Sequence, residues 1–304
     1  MSIVLALLTQ LLHIGLMIFA APTVAGGMDW LDARWSGRSG PPVLLPWHDL
    51  LRWFRKTPML TDDVSIVSRL APAVGMGATA AAAALVPSFA LGMALSPLAD
   101  GLVVVSLLTI ARAAAALAAL DSGTARSGVA TQQASARAVL AEPALLLSVV
   151  ALAVMAGSFN LQVIIVQQRE GLLLPATASA VCLTAMLALL FAEVSAGEAN
   201  SDFHAGRALA VARMTGWLRR LIWVDLIGGL FLPAGMAAAD AGPLSWLTGL
   251  AAWGLKLGMF MVCLSASQKL FGRIARHSLP DVIGVAALLA LLAIIMALAS
   301  AGTA

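Results

Sequence analysis

Arg112, Glu142, Glu193, Asp225 and Lys256 stand inside long apolar runs, where an ionisable side chain is expensive to keep. Such residues pair with one another, hydrate, or change protonation, and they commonly mark ion paths or partner sites. Lys256 is the deepest, about twelve residues from the start of its run, and must be matched by something within reach. Glu142 lies close to a connection and fits a snorkelling or ion-paired role as well as a functional one. The chemistry this set can do is proton or ion handling. There is no nucleophile with a matching base, no glycine-rich phosphate loop and no metal-ligand spacing. The string "GMGATAAAAALV" suits close helix contact.

The elements that must position these residues are membrane helices. The 304 residues are 61% hydrophobic and only 11% charged, too few charges for a soluble domain of this size. A spanning helix needs about 20 mostly apolar residues for roughly 30 Å of hydrocarbon. The spacing predicts eight: 2–25, 71–95, 101–120, 140–160, 172–195, 218–238, 244–266 and 281–302. The runs are continuous, with no alternation, so the expected fold is an all-α polytopic bundle and no barrel. The first run has no basic residue before it and reads as a retained helix. One membrane domain, 1–304, is expected.

The formal net charge of +3 does not point to nucleic acid, because the cations are distributed by topology. The connections after spans one, three, five and seven carry six, two, four and three Lys/Arg, with Arg219 and Arg220 counted in the fifth. That is 15 of 18; the remaining three are Arg112, Arg169 and Lys256. Basic connections stay in the cytoplasm, which places both termini in the periplasm of a bacterial-type inner membrane. Cys182 and Cys263 cannot provide the four thiolates of an iron–sulfur cluster, and His13 is the one histidine within a span. No cofactor is therefore expected in this chain; electrons, if they move, belong to another polypeptide.

The stretch 26–70 is the longest piece outside the expected spans. After Gly40, Pro41 and Pro42, the residues Leu44, Trp47, Leu51 and Phe54 recur at helical spacing, with His48, Arg52 and Arg55 on the opposite face. This reads as a short amphipathic helix in the headgroup plane, either a surface float or a platform for a cytoplasmic partner.

Taken in order, several stretches resemble the complex I subunit 1 family. "ARWSGRSGPPVLLPWHDLLRWFRK" is similar to that family's first cytoplasmic loop, and "SRLAPAV" to the entry into its second helix. "IARAAAALAALDSGTARSG" resembles its third helix and Leu-Asp-x-Gly turn, and "SARAVLAEPALLL" keeps Arg137, Glu142 and Pro143. "LFAEVS" keeps the helix-five glutamate as Glu193, "WGLKLG" the intramembrane lysine as Lys256, and Arg273 falls in register. The nearest branch is that of membrane subunits of formate hydrogenlyase and membrane-bound [NiFe] hydrogenases. The resemblance implies a membrane anchor and coupling subunit of a multisubunit energy-converting oxidoreductase, itself carrying no catalytic residues. Its partners would be an iron–sulfur small subunit, a large catalytic-type subunit and antiporter-like membrane subunits, with iron–sulfur clusters and a nickel–iron centre held by those partners. The docking surface would include Arg34, Arg38, Gly40, Pro41, Asp49, Arg52, Arg55, Arg69, Asp121 and Arg137. Arg112, Glu142, Glu193, Asp225 and Lys256 would form a polar axis across the bilayer.

The sequence also departs from the family pattern. Arg137 is followed by Ala138 where the family has glutamate, "SAGEANSDFHAGRA" offers only Glu198 and Asp202, Gln268 replaces an acid, and Asp225 stands where a neutral residue is expected. These losses weigh against ion conduction and quinone chemistry, and leave anchoring intact. Two other readings fit the residues: a stand-alone proton-coupled secondary transporter, and an anchor diverged toward a soluble arm without hydrogenase activity.

Overall fold

The structure, a computed structural model, describes residues 2–57, 65–171, 176–195, 204–238 and 242–301. Nine α-helices appear among them: α1 (Ser2–Trp35), α2 (Leu45–Phe54), α3 (Ile66–Leu85), α4 (Gly101–Asp121), α5 (Ala125–Ala156), α6 (Leu161–Arg169), α7 (Ala176–Ser195), α8 (Gly206–Phe231) and α9 (Pro243–Ala301). Two strands of two residues, β1 (Ala90–Leu91) and β2 (Ala237–Ala238), pair in parallel. Capping chemistry sets several boundaries. The Asp100 carboxylate accepts the Leu102 N–H at 2.7 Å to start α4, and Asn160 Oδ1 accepts from Gln162 N at 2.9 Å to start α6. Pro87 excludes Val86 from helical backbone, and α3 stops before it. Gly157, at φ 66°, ends α5 in the left-handed conformation that a side chain disfavours.

Among the described residues, seven helical segments are long and apolar enough to cross a membrane, against the eight spans expected. The expected sixth span is α8. At about 1.5 Å per residue it reaches roughly 39 Å, ample for crossing. It differs in being charged and in being enclosed: all of 221–230 is buried in protein. A helix that faces protein on every side has no need of a uniformly apolar surface. The lipid surface falls to the other helices, where Leu11, Leu244, Leu255 and Leu288 are two-thirds or more exposed.

Other boundaries also differ from expectation. The 121–139 connection is mostly helix, because α5 begins at Ala125; its alanine and glutamine content favours helix even where it is polar. α1 continues to Trp35, past the expected end at 25. The expected end of the second span, 86–95, is strand and turn, and α6 is a short helix in what read as a loop. The expected spans 244–266 and 281–302 both lie on α9, whose backbone is helical through the expected loop 267–280. Its 59 residues measure about 88 Å, so both segments fit one bilayer only if the axis turns between them, near Pro280. Glu198 and Asp202, and the side chain of Arg273, lie outside the described residues.

The connections sort by parity into two ends. At one end, the Ser68 hydroxyl of α3 donates to the Ala118 carbonyl in the last turn of α4, which ends at Asp121, at 3.4 Å. Arg207 of α8 donates to the Phe54 carbonyl of α2 at 3.2 Å, and Lys269 of α9 donates to the Ser36 hydroxyl after α1. At the other end, Ala237 N of β2 donates to Phe89 O at 2.9 Å, and Leu161 N donates to Ala99 O at 2.7 Å. Arg169 donates to Met236 O at 3.3 Å. The basic odd-numbered connections thus share one end of the bundle and the even-numbered ones the other.

Candidate functional site

The charged residues expected within the bundle fall into two groups. Arg112 on α4 lies between two carboxylates, with Nη2 3.1 Å from Glu193 Oε2 on α7 and Nη1 3.7 Å from Glu142 Oε1 on α5. Arg219 Nε on α8 donates to the other oxygen, Glu193 Oε1, at 2.6 Å. Four helices are therefore stitched by two guanidinium groups and two carboxylates, with side chains between 14% and 24% exposed. Both oxygens of Glu193 are occupied, and each arginine answers at least one acid. Charge-assisted bonds of this kind are strong, and in a low-dielectric surrounding each depends on the others.

This cluster lines a cavity of about 340 Å³ that also meets His204, Thr215 and Trp223. Small residues make the space: alanines of α4 and α5 form much of the wall. Burial pushes the His204 imidazole, outside the spans, below its ordinary range, which favours its neutral form. Trp223 is buried, and its indole N–H has no hydrogen-bond partner among the described residues. Arg137, expected on the docking surface, lines this cavity instead of standing clear of it.

Asp225 belongs to a second group. It lies six residues beyond Arg219, about 9 Å along α8 and turned roughly 120° away, and it does not line the cavity. Asp225 Oδ1 accepts the Trp253 indole N–H at 2.7 Å from α9. Asp225 Oδ2 is buried without a hydrogen-bond partner among the described residues. Lys256 lies three residues from Trp253 and so on the same face of α9.

The expected docking residues lie at the basic end. The Arg34 guanidinium sits over the Trp30 ring at 5.1 Å. Gly40 folds against α1, where a Cβ would come 2.9 Å from the Trp30 carbonyl oxygen. Gly26 has the matching constraint on the helix side: its Cβ would lie 2.0 Å from Val43 O. Pro41 follows in the same close turn, half-buried. Asp49 and Arg52 pair at 2.6 Å on the surface, and Arg38, Arg55 and Arg69 are exposed. Helix α2 is amphipathic as expected, but its inner face differs. Pro46 and Leu50 are buried toward the bundle, while Leu44, Leu51 and Phe54 remain exposed. Trp47 stays beside α1, its ring 5.5 Å from Phe19 and its N–H donated to Thr23 Oγ1 at 3.2 Å. The helix therefore packs one stripe on protein and offers another to lipid or a partner.

Two residues of these sites were not singled out from the sequence. Arg219 was counted with a basic connection; its place between Glu193 and the first turns of the apolar run was the available signal. Trp253 sits three residues before Lys256, a spacing that could have marked it. His13, the one histidine within an expected span, meets Ser88 Oγ at 2.7 Å and Ala83 O at 2.8 Å.

Comparison with known proteins agrees with this architecture across nearly the whole chain. The family model described as NADH dehydrogenase matches residues 7–299. Hydrogenase-4 component C of Escherichia coli (strain K12) is 26% identical over 279 residues, covering 85% of each chain. Formate hydrogenlyase subunit 4 of the same organism is 28% identical over 263 residues, covering 82% of this chain and 86% of the relative. Among solved structures, a chain of the membrane-bound sulfane sulfur reductase, an archaeal respiratory membrane complex, superposes with a TM-score of 0.78. That match has 22% identity, covers 95% of this chain and 98% of the other, and speaks to the fold.

Proposed function

The chain belongs to the NADH dehydrogenase family, and from that membership we infer that it is a membrane anchor subunit of a multisubunit energy-converting oxidoreductase of the hydrogenase, formate hydrogenlyase and complex I type. It is a multi-pass membrane protein; the inner membrane, with both termini periplasmic, is the assignment its charge distribution supports.

One observation carries the anchoring role. The basic odd-numbered connections gather at a single end, where Arg38, Arg52, Arg55 and Arg207 are exposed beside one another's elements. Such a surface fits a soluble arm made of an iron–sulfur small subunit and a large catalytic-type subunit, which would hold the iron–sulfur clusters and a nickel–iron centre. Within the bilayer, Asp225 and Lys256 would lie on a polar route toward antiporter-like membrane subunits, with Arg112, Glu142 and Glu193 holding the helices beside it.

The test is replacement of Arg38 by Glu. The soluble arm should then leave the membrane fraction under washing that retains it on the wild-type chain. An arm that stays fully bound removes the docking role of this loop. Metal analysis of the wild-type assembly separates hydrogenase chemistry from a diverged arm: nickel supports the former, and its absence in an intact assembly supports the latter. A chain that purifies alone and drives solute uptake in liposomes would overturn the anchor and favour a transporter.

A further inference from the structure

We propose that Asp225 and Lys256 form an intramembrane proton-binding pair, distinct from the arginine–glutamate cluster and positioned by Trp253. The proposal rests on the coupling role given above and assigns that role to a defined site.

The starting point is an asymmetry at one carboxylate. Asp225 is 4% exposed. One of its oxygens takes an indole N–H at 2.7 Å, and the other, enclosed in the same packing, has no hydrogen-bond partner among the described residues. A buried carboxylate with a bare oxygen is costly to leave as it stands. A nearby cation relieves that cost when the group is charged; a proton on the bare oxygen relieves it when the group is neutral. Lys256 supplies the first. It lies one turn from Trp253 on the same face of α9 and is half-buried, which puts a cation on the side of α9 from which Trp253 reaches Asp225.

The pair has a simple proton ledger. A carboxylate with an ammonium is neutral overall, and so is a carboxylic acid with an amine; the two forms differ only in which residue holds the one proton. A second proton gives carboxylic acid with ammonium and leaves one net positive charge in the bilayer. The site can therefore load and release one proton, and that proton belongs to the pair and to neither residue alone.

A metal cation fits poorly. An alkali or alkaline-earth ion wants several oxygen ligands, whereas Asp225 is faced by an N–H donor and by Lys256, which repels a cation. Three other ionisable groups on helices packed against α8 have partners of their own. Glu193 of α7 is held by Arg112 and Arg219, Arg169 of α6 donates to Met236 O, and His13 of α1 is taken by Ser88 and Ala83.

The experiment is pH-difference infrared spectroscopy on the full chain reconstituted in lipid. As pH rises, a carboxylic-acid C=O band should give way to carboxylate, and the band should move on labelling aspartate with ¹³C at the side-chain carboxyl. Asp225→Asn, which keeps an acceptor for Trp253, should abolish that band. Lys256→Met should keep the acid form to higher pH, by about tenfold in proton affinity, and Lys256→Arg should restore the wild-type midpoint. A ¹³C-sensitive band unchanged in Asp225→Asn overturns the site; so does a midpoint that Lys256→Met leaves in place, which stays readable should the asparagine variant fold poorly. The readout needs no partner subunit, so failure of arm docking in Arg38→Glu and failure of this proton site are separately visible.

Discussion

Two carboxylates on neighbouring helices of one bundle have been given opposite treatment. Glu193 receives Arg219 on one oxygen at 2.6 Å and Arg112 on the other at 3.1 Å. Asp225, on α8 beyond Arg219, receives one indole N–H and keeps its second oxygen bare. Saturation fixes a charge: Glu193 cannot take a proton without taking the acid from Arg219 and leaving Arg112 with Glu142 alone, so its cluster acts as a clasp among α4, α5, α7 and α8. Under-satisfaction leaves a choice of protonation state, which is what a site that handles protons needs. Sheer depth in the membrane does not separate a structural charge from a working one. The count of partners at each oxygen does.

Substitutions can break that contrast or sharpen it. Glu193→Gln should have the largest effect, about 3–5 kcal/mol of lost stability, because it removes the shared counter-charge of two partly buried arginines. Denaturant unfolding in detergent, followed by tryptophan fluorescence, would measure it. A loss below about 1 kcal/mol would mean the clasp is solvated and the distinction drawn here is wrong. Trp253→Phe should be next, at about 1.5–3 kcal/mol, since it deprives Asp225 of its one hydrogen bond. Asp225→Asn should be milder, under about 1 kcal/mol, because the amide oxygen still accepts from Trp253 and the bare position tolerates a neutral group. Equal losses for Glu193→Gln and Asp225→Asn, read by the same unfolding assay, would erase the contrast. Arg52→Ala belongs at the bottom of the order, within about 0.5 kcal/mol. Its pair with Asp49 is at 2.6 Å, yet the arginine side chain is 64% exposed. It shows that distance alone does not set the worth of an ion pair.

Much of this architecture is legible from apolar run lengths, because crossing a bilayer imposes a length and a composition that few other constraints imitate. α4 was placed within a residue for that reason. α8 was placed in position but not in character: its run is interrupted by Arg219, Arg220 and Asp225, and only the assembled bundle reveals that these face protein. The helical start of α5 was hidden because the same alanine, serine and arginine content serves a connection or a helix. At the site, Arg112, Glu142 and Glu193 were visible one at a time as charges in the wrong solvent. Their convergence, and the presence of Arg219 and Trp253 among them, depends on contacts 26 to 81 residues apart along the chain, which no local pattern encodes. The inner face of α2 was missed for a related reason. Leu44, Leu51 and Phe54 mark its apolar stripe, but Pro46 and Leu50 find the protein because α1 and α8 happen to stand there.

The closeness of Gly26 to Val43 O and of Gly40 to Trp30 has a kinetic meaning. The loop and α1 are locked face to face at two points where no larger residue fits, so the arginine-bearing surface exists in its final shape before anything arrives. An incoming subunit meets the 40–46 turn already seated on α1, and little of the encounter's favourable energy is diverted to ordering it. Association at this end should accordingly behave as rigid-body capture, with a rate governed by charge and salt.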